Sequence, residues 1–308
     1  MCRPAKNGGV NVSMDCLATE KRFSARFSIR SMTLDDMNLA IAWATYEGWN
    51  PGLCDAIPFR AADPEGFLMG VLDDEPVAAI SAVRYGSRFG FMGFYMVKPA
   101  YRGQGYGMAM WKAAISRLQG RVIGLDGVVA QQANYQRSGF ELAHHNMRFE
   151  GVVVHEQSTA TNDEVTVVHL TEIESSDIFA YDRQCFPESR CEFLRKWITQ
   201  PGTIALGAMK QQQLVGYGVA RPCQVGWKIG PLFADSLEVA EKIHAALKLC
   251  MPEGAPYFLD ISDSNPDALA LVEQQGLHKV FDTARMYLGP APEIDHRRIF
   301  GITSFELG

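Results

Sequence analysis

The stretch VKPAYRGQGYGMAMW, residues 97–111, concentrates Gly103, Gly105 and Gly107 within five positions and then turns into an apolar run. A loop of small residues that opens a helix presents backbone N–H groups without intrahelical partners, and the helix dipole adds roughly half a positive charge at the same place. That combination suits a phosphate or pyrophosphate, and glycine permits both close approach and positive φ. Two nucleotide motifs are excluded by spacing. A dinucleotide fingerprint needs G-x-G-x-x-G after a first strand, whereas this run reads G-x-G-x-G after a fourth, and no G-K-[ST] follows to make a Walker A loop. No metal is expected: His144 and His145 are adjacent, so on a strand they face opposite sides, and no Cys/His spacing suits zinc. Cys185 and Cys191 have no evident histidine partner and read as buried thiols.

The elements around the loop read in mixed order. In RFSIRSM, Phe27 and Ile29 alternate with polar residues as a half-buried strand does, and Asp35 and Asp36 open a helix that runs to Glu47. GFLMGVLDDEPVAAISAVRYG reads as two strands turning at DDEP, and FGFMGFYMV as an apolar strand leading into the glycines. After them Trp111, Ala114, Ile115 and Leu118 recur at helical spacing and mark a face for burial. RVIGLDGVV reads as a strand, QQANYQRS as a helical turn, and GFELAHHNMRFEG as a closing hairpin or strand pair.

The pattern then repeats. Strand VTVVHL restarts at Val165, 138 positions after Phe27; Gly276 answers Gly139 at an offset of 137, and Arg148 and Arg285 each stand nine residues after their glycine. Two long repeats indicate duplicated domains, 25–151 and 164–290. Residues 1–24 form a lead-in, 152–163 a polar linker and 291–308 a C-terminal extension.

A length of 308 residues suits two domains, and 47% apolar with 21% charged residues describes a globular protein. A net charge of -6 offers no electrostatic footprint for nucleic acid or an anionic membrane. Seven scattered cysteines without C-x-x-C indicate reduced thiols and a cytoplasmic location. The N-terminus MCRPAKNGGVNVSMDC lacks the apolar centre of a signal peptide, and no run approaches membrane-spanning length. A homodimer is one arrangement that the sequence leaves open.

The glycine run resembles motif A of the GNAT acyltransferases, [RQ]-x-x-G-x-[GA], through Arg102, Gly105 and Gly107, preceded by V-x-P as Val97 and Pro99; NYQRSGF is similar to the family's Y-x-x-x-G-F. EGWNPG, GLDGV and, further on, RPCQVGWKIGPLFAD through ARMYLG resemble bacterial two-domain acetyltransferases with a YitH/HolE-type second domain. The resemblance implies an α/β (α+β) protein of tandem GNAT folds, each a mixed, mostly antiparallel twisted sheet flanked by helices. It implies acetyl-CoA as cosubstrate, with the pyrophosphate on the amides of Arg102, Gly103, Gln104, Gly105, Tyr106 and Gly107 and the pantetheine along Met96 and Val97. Tyr135 stands at the family's tyrosine position as acid to the CoA thiolate, and Asn134 either holds the pantetheine or caps the short helix. The apolar fourth strand carries no carboxylate, so Glu47 becomes the candidate base or acceptor-ammonium ligand, with Asp55 and Tyr95 behind it; Trp49 and Asn50 are placed at the acceptor pocket.

The second half keeps the frame and loses the chemistry. Pro231, Leu232 and Phe233 replace small residues, Asp235 stands where a phosphate would sit, and Val272 replaces the tyrosine. Asp235 with Glu238 reads as a helix cap, and Val239, Ile243, Ala246, Leu247 and Cys250 as the buried face. Arg221, Trp227, Lys228 and Asp260 read as surface charge and core, with completion of the first half's acceptor site as the alternative. The function implied is N-acetyl transfer to a primary amine of a small molecule in preference to a peptide, by direct attack in a ternary complex. A non-catalytic acetyl-CoA sensor or scaffold is the alternative, and a longer acyl group a third reading.

Overall fold

The computed structural model describes residues 26–155 and 164–308; the lead-in 1–24, with Cys2 and Cys16, and residues 156–163 of the linker lie outside them. The first half runs β1 (Phe27–Ser31), α1 (Leu34–Tyr46), α2 (Ala56–Ala62), β2 (Phe67–Leu72), β3 (Glu75–Tyr85), β4 (Phe89–Val97), α3 (Tyr106–Arg117), β5 (Val122–Val128), α4 (Gln132–Arg137) and β6 (Glu141–Val152). The second repeats it as β7 (Val165–His169), α5 (Ser175–Cys185), α6 (Cys191–Trp197), β8 (Ile204–Lys210), β9 (Gln213–Pro222), β10 (Trp227–Ala234), α7 (Leu237–Cys250), β11 (Pro256–Ser262), α8 (Pro266–Gln274) and β12 (His278–Leu288), and then adds β13 (Ile299–Gly301).

Local chemistry explains the element ends. Thr33 and Asp36 form a reciprocal capping box at the start of α1, and Arg30 binds the same carboxylate, which these bonds lower to about 2. The DDEP turn works through Asp73 and Asp74, which both take positive φ, the conformation a two-residue hairpin demands. At α7 the cap is Ser236, whose side chain accepts from the Val239 amide. Asp235 instead accepts from the Tyr181 hydroxyl at 2.6 Å and pairs with Arg298 at 3.1 Å, so the expected Asp235 cap is corrected. Cys250, expected on the buried face, is exposed because α7 ends there and Met251 takes the inward place.

The strands form one sheet in the order β1-β2-β3-β4-β5-β12-β6-β11-β10-β9-β8-β7, with β13 beside β10. Among the described residues only β4 with β5 and β10 with β11 pair in parallel. The closing hairpin expected over 139–151 does not form. That segment is one strand, β6, whose neighbours β11 and β12 both come from the second half, while β12 lies against β5 of the first. Each half thus completes the sheet of the other. Asn146 and Thr283, separated by the same 137 positions as Gly139 and Gly276, sit opposite each other, so the two-fold relation of the duplication passes between them.

Two buried ion pairs fasten the exchange. Arg148 of β6 meets Asp260 of β11 with two bonds of 2.7 Å, and its repeat equivalent Arg285 of β12 meets Asp126 of β5 at 2.8 and 2.7 Å. Behind the sheet the halves share a core: Phe59 of α2 stacks on Trp197 of α6 at 6.0 Å, and Phe94 and Phe67 close around it. The extension 291–308 belongs to this interface, since Ile302 donates to Asp260 O at 2.8 Å, Arg190 reaches Thr303 at 2.8 Å and Tyr85 donates to Leu307 O at 3.2 Å. Among the described residues no helix is long and apolar enough to cross a membrane.

Asp260→Ala leaves the Arg148 guanidinium buried without a counter-ion and is expected to cost roughly 3–5 kcal/mol in urea denaturation. The acid side of the stability curve has a separate origin. His144 and His244 are both lowered to about 3, chiefly by burial, and no group among the described residues bonds the His244 ring nitrogens. Both stay neutral in the fold, whereas the unfolded chain protonates them below about 6.5. Stability present above that pH is therefore lost as pH falls toward 3, and His244→Leu is expected to flatten the fall in melting temperature between neutral pH and pH 5.

Candidate active site

β4 and β5 pair only from Phe89–Val122 to Met92–Leu125. Beyond this point β4 bulges: Gly93 faces Ser81 and Met96 faces Ala79, leaving an extra residue between them, and Phe94 takes φ +49. The Phe94 ring anchors the bulge against Phe59 and Phe67, at 5.6 and 6.3 Å between centroids. The strands separate, and a cavity of about 750 Å³ opens between them. Glu47, Trp49, Asn50, Tyr95 and Tyr135, five of the residues singled out in the sequence, come together in its wall.

The glycine loop lies beside this opening. Gly103 and Gly105 take φ +73 and +94, α3 opens on Gly105 without a side-chain cap, and a Cβ on Gly107 would stand 2.7 Å from the Tyr95 hydroxyl. A helix N-terminus without a side-chain cap, with room for a Cβ at Gly103 left empty, fits a pyrophosphate. The side chains of the loop do other work: Tyr106 packs into the core against Phe27 at 4.8 Å, and Gln104 bonds Ala100 O at 2.9 Å. Arg102 donates to Val97 O at 2.8 Å and to the Glu47 carboxylate at 2.5 Å, so one guanidinium joins the β4 edge, the loop and the candidate base.

The wall around the turn after α1 is built by both halves. The turn from Trp49 to Cys54 is held by cations of other elements: Arg148 donates to Trp49 O at 3.0 Å and Lys228 to Asn50 O at 2.9 Å. The Asn50 side chain is spent on both backbone groups of Val225, at 2.9 and 3.0 Å. Asp55 lies outside the cavity wall; it is buried, accepts from the Gly52 amide and is paired with Arg221 at 2.9 Å, and so it positions the turn rather than facing the acceptor. Arg221, Lys228 and Asp260, read as surface charge and core, are all buried at this junction. Tyr135 stacks on Trp111 at 5.6 Å in the space that Gly127 leaves by lacking a side chain, and burial first, then the neighbouring Tyr95, pushes its phenol up to about 12. Asn134 is exposed and bonds the Gln131 side chain.

Sequence reasoning missed the far wall, where Val280, Phe281 and Thr283 of β12, Phe258 of β11, and Phe305 and Glu306 of the extension line the cavity. The repeat offset was the one available signal, since it pairs Arg148 with Arg285 and so marks the exchanged strands. The second half's own splay is filled: β13 pairs with β10 at Leu232 and Phe233, which by the 137-residue offset correspond to Tyr95 and Met96. Among the described residues no cluster of acidic, His or Cys side chains could hold a metal. Cys185 and Cys223 are buried, with their thiols pushed up by burial.

Two family models match, the Acetyltransferase (GNAT) family over residues 34–140 and an Acetyltransferase (GNAT) domain over 178–301. The holothin acyltransferase of Pseudoalteromonas sp. (strain SANK 73390) is 29% identical over 276 residues, covering 90% of this chain and 92% of the relative. The uncharacterized N-acetyltransferase YitH of Bacillus subtilis (strain 168) is 22% identical, covering 70% and 76%. A putative acetyltransferase from Pyrococcus horikoshii superposes with a TM-score of 0.76 at 24% identity, covering 94% of this chain and 98% of that one. The chain belongs to the GNAT superfamily as a two-domain member, and its class of chemistry is acyl transfer.

GNAT proteins generally use acetyl-CoA, and the loop offers a test of whether it is used here. Gly105→Asp places a carboxylate at a left-handed position in the loop, and calorimetry is expected to show acetyl-CoA affinity reduced at least about 100-fold while the fold survives.

Proposed function

We propose that this protein transfers the acetyl group of acetyl-CoA to the primary amine of a small molecule by direct attack in a ternary complex. The observation that carries the reading is that Glu47 and Tyr135 stand in the wall of one cavity that opens beside the β4 edge and the glycine loop. Its volume of about 750 Å³ is that of a small-molecule site. The relative from Pseudoalteromonas is named for acyl transfer to holothin, which favours acyl transfer here too.

The donor supplies an activated thioester; the remaining steps belong to the chain. The amides from Gly103 to Gly107 and the start of α3 receive the pyrophosphate, and Met96 and Val97 offer a strand edge to the pantetheine. The Val97 carbonyl is engaged by Arg102. A lysine-type ammonium has a pKa near about 10.4 and must lose a proton before attack, and Glu47, held at the cavity by Arg102, accepts it. The Tyr135 phenol, pushed up to about 12 by burial, remains protonated at neutral pH and relays to the departing thiolate, whose parent thiol lies near about 8.5, the proton that the attacking nitrogen sheds after the new C–N bond forms. The unpaired cysteines among the described residues favour a reducing, cytoplasmic setting.

Thiol release from acetyl-CoA, followed across polyamines, amino acids, amino sugars and neutral aryl amines, tests the reading. Tyr135→Phe and Glu47→Gln are each expected to lower turnover about 100-fold with donor affinity nearly unchanged. Acetyl-CoA binding with no thiol released by any amine would favour a sensor instead.

A further inference from the structure

α4 is six residues long and stands largely in solvent, with only Gln132 and Tyr135 half-buried and no side-chain cap at its start. A helix that short has little rigidity of its own, so the direction of the Tyr135 phenol is set by what its ring lies against. Among the described residues no hydrogen bond holds the hydroxyl. Two contacts hold the ring. It stacks on the Trp111 indole at 5.6 Å with 23° between the planes, and its edge lies so close over Gly127 that a Cβ there would stand 2.2 Å from Cε2. Trp111 is itself fixed: it is 9% exposed on α3, the helix that opens on the glycine loop, with the Tyr95 and Phe140 rings each 5.7 Å away. Tyr95, Trp111, Gly127 and Tyr135 all line the cavity.

The second half has lost this group as a set. α7 keeps the apolar face of α3 at a constant offset of 133, with Ile243, Leu247 and Met251 at the places of Met110, Ala114 and Leu118, and it carries His244 where Trp111 stands. Asp126 and Asp260, which hold the equivalent arginines, fix an offset of 134 for β5 and β11, and Ile261 therefore takes the place of Gly127. Val272 replaces Tyr135, and Leu232 replaces Tyr95. Packing alone does not require the tryptophan to go with the tyrosine, since the rest of that helix face stays apolar in both halves. Resting on the transfer reading above, we propose that Trp111 is a positioning residue: its indole is the platform that holds the Tyr135 phenol in place for the departing thiolate, and the bare backbone of Gly127 is what lets the ring reach that platform.

Kinetics and a fluorine signal test this together. With the fastest amine of the panel above, Trp111→Leu and Gly127→Ala are each expected to lower kcat about tenfold or more with the KM for acetyl-CoA within about twofold, while Trp111→Phe, which keeps a stacking face, retains most of the rate. Adding Trp111→Leu to Tyr135→Phe is expected to cost nothing further, because the group it positions is already gone. In full-length protein labelled with 3-fluorotyrosine, the fluorine resonance that disappears in Tyr135→Phe is expected to shift and broaden in Trp111→Leu and Gly127→Ala and to stay near its place in Trp111→Phe. Gly127→Ala displaces a ring on an exposed helix and leaves the core filled, so it carries the test if Trp111→Leu does not fold. An unchanged resonance, a raised KM for acetyl-CoA in place of a lowered kcat, or losses that multiply in the double variant would overturn the proposal. If no amine releases thiol, the transfer reading fails and the fluorine signal alone decides whether the platform exists. If thiol release depends on Tyr135 while the Trp111 and Gly127 variants leave rate and resonance unchanged, the platform fails and the transfer reading stands.

Discussion

The bidentate pairing of Arg148 with Asp260, mirrored by Arg285 with Asp126, is the constraint on which the rest of this structure depends. Each pair joins the last strand of one repeat to a strand of the other, buried in a sheet where an unpaired guanidinium would be costly. Excluding solvent from four charges requires both strands to be present, so the two halves form a single cooperative sheet. The expected closing hairpin of each repeat is replaced by exchange, and β6 and β12 pair with each other at the centre.

The exchange brings the two splayed sites toward a common junction and sends them to different fates. In the first half the bulge at Phe94 leaves the β4 edge open beside a glycine loop. In the second, the equivalent edge of β10 is paired with β13, so the chain itself fills that edge. Beyond β13 the chain continues across the interface, where the Ile302 and Thr303 carbonyls crowd Gly230 and the Glu306 carbonyl crowds Gly93. The second half therefore supplies a wall of the first half's cavity, and its buried cations Arg221 and Lys228, together with Arg148 of β6, hold the turn between α1 and α2 in place.

The glycine loop and its flanking elements were legible in the sequence because they are local. Glycines at left-handed positions, an apolar strand before them and an amphipathic helix after them all fall between Phe89 and Arg117, and the structure places them together. Glu47 was also traceable, although nothing local announced that Arg102 would hold it. The far wall of the cavity was not legible, because Phe281, Phe305 and Glu306 reach it through strand exchange and a crossing segment, and neither leaves a periodic signature. Asp55 shows the same limit from the other side. A carboxylate beside a Pro-Gly turn carries no mark of its partner, and its buried bond to Arg221 depends on the second half docking.

The most direct test of a protein with one open and one self-filled splay is the stoichiometry of CoA binding, measured by calorimetric titration of the full chain. One equivalent bound per chain is the expected result. Two equivalents would show that β13 yields to the ligand and that the second half retains a donor site, and no binding would contradict the open groove assigned to the first.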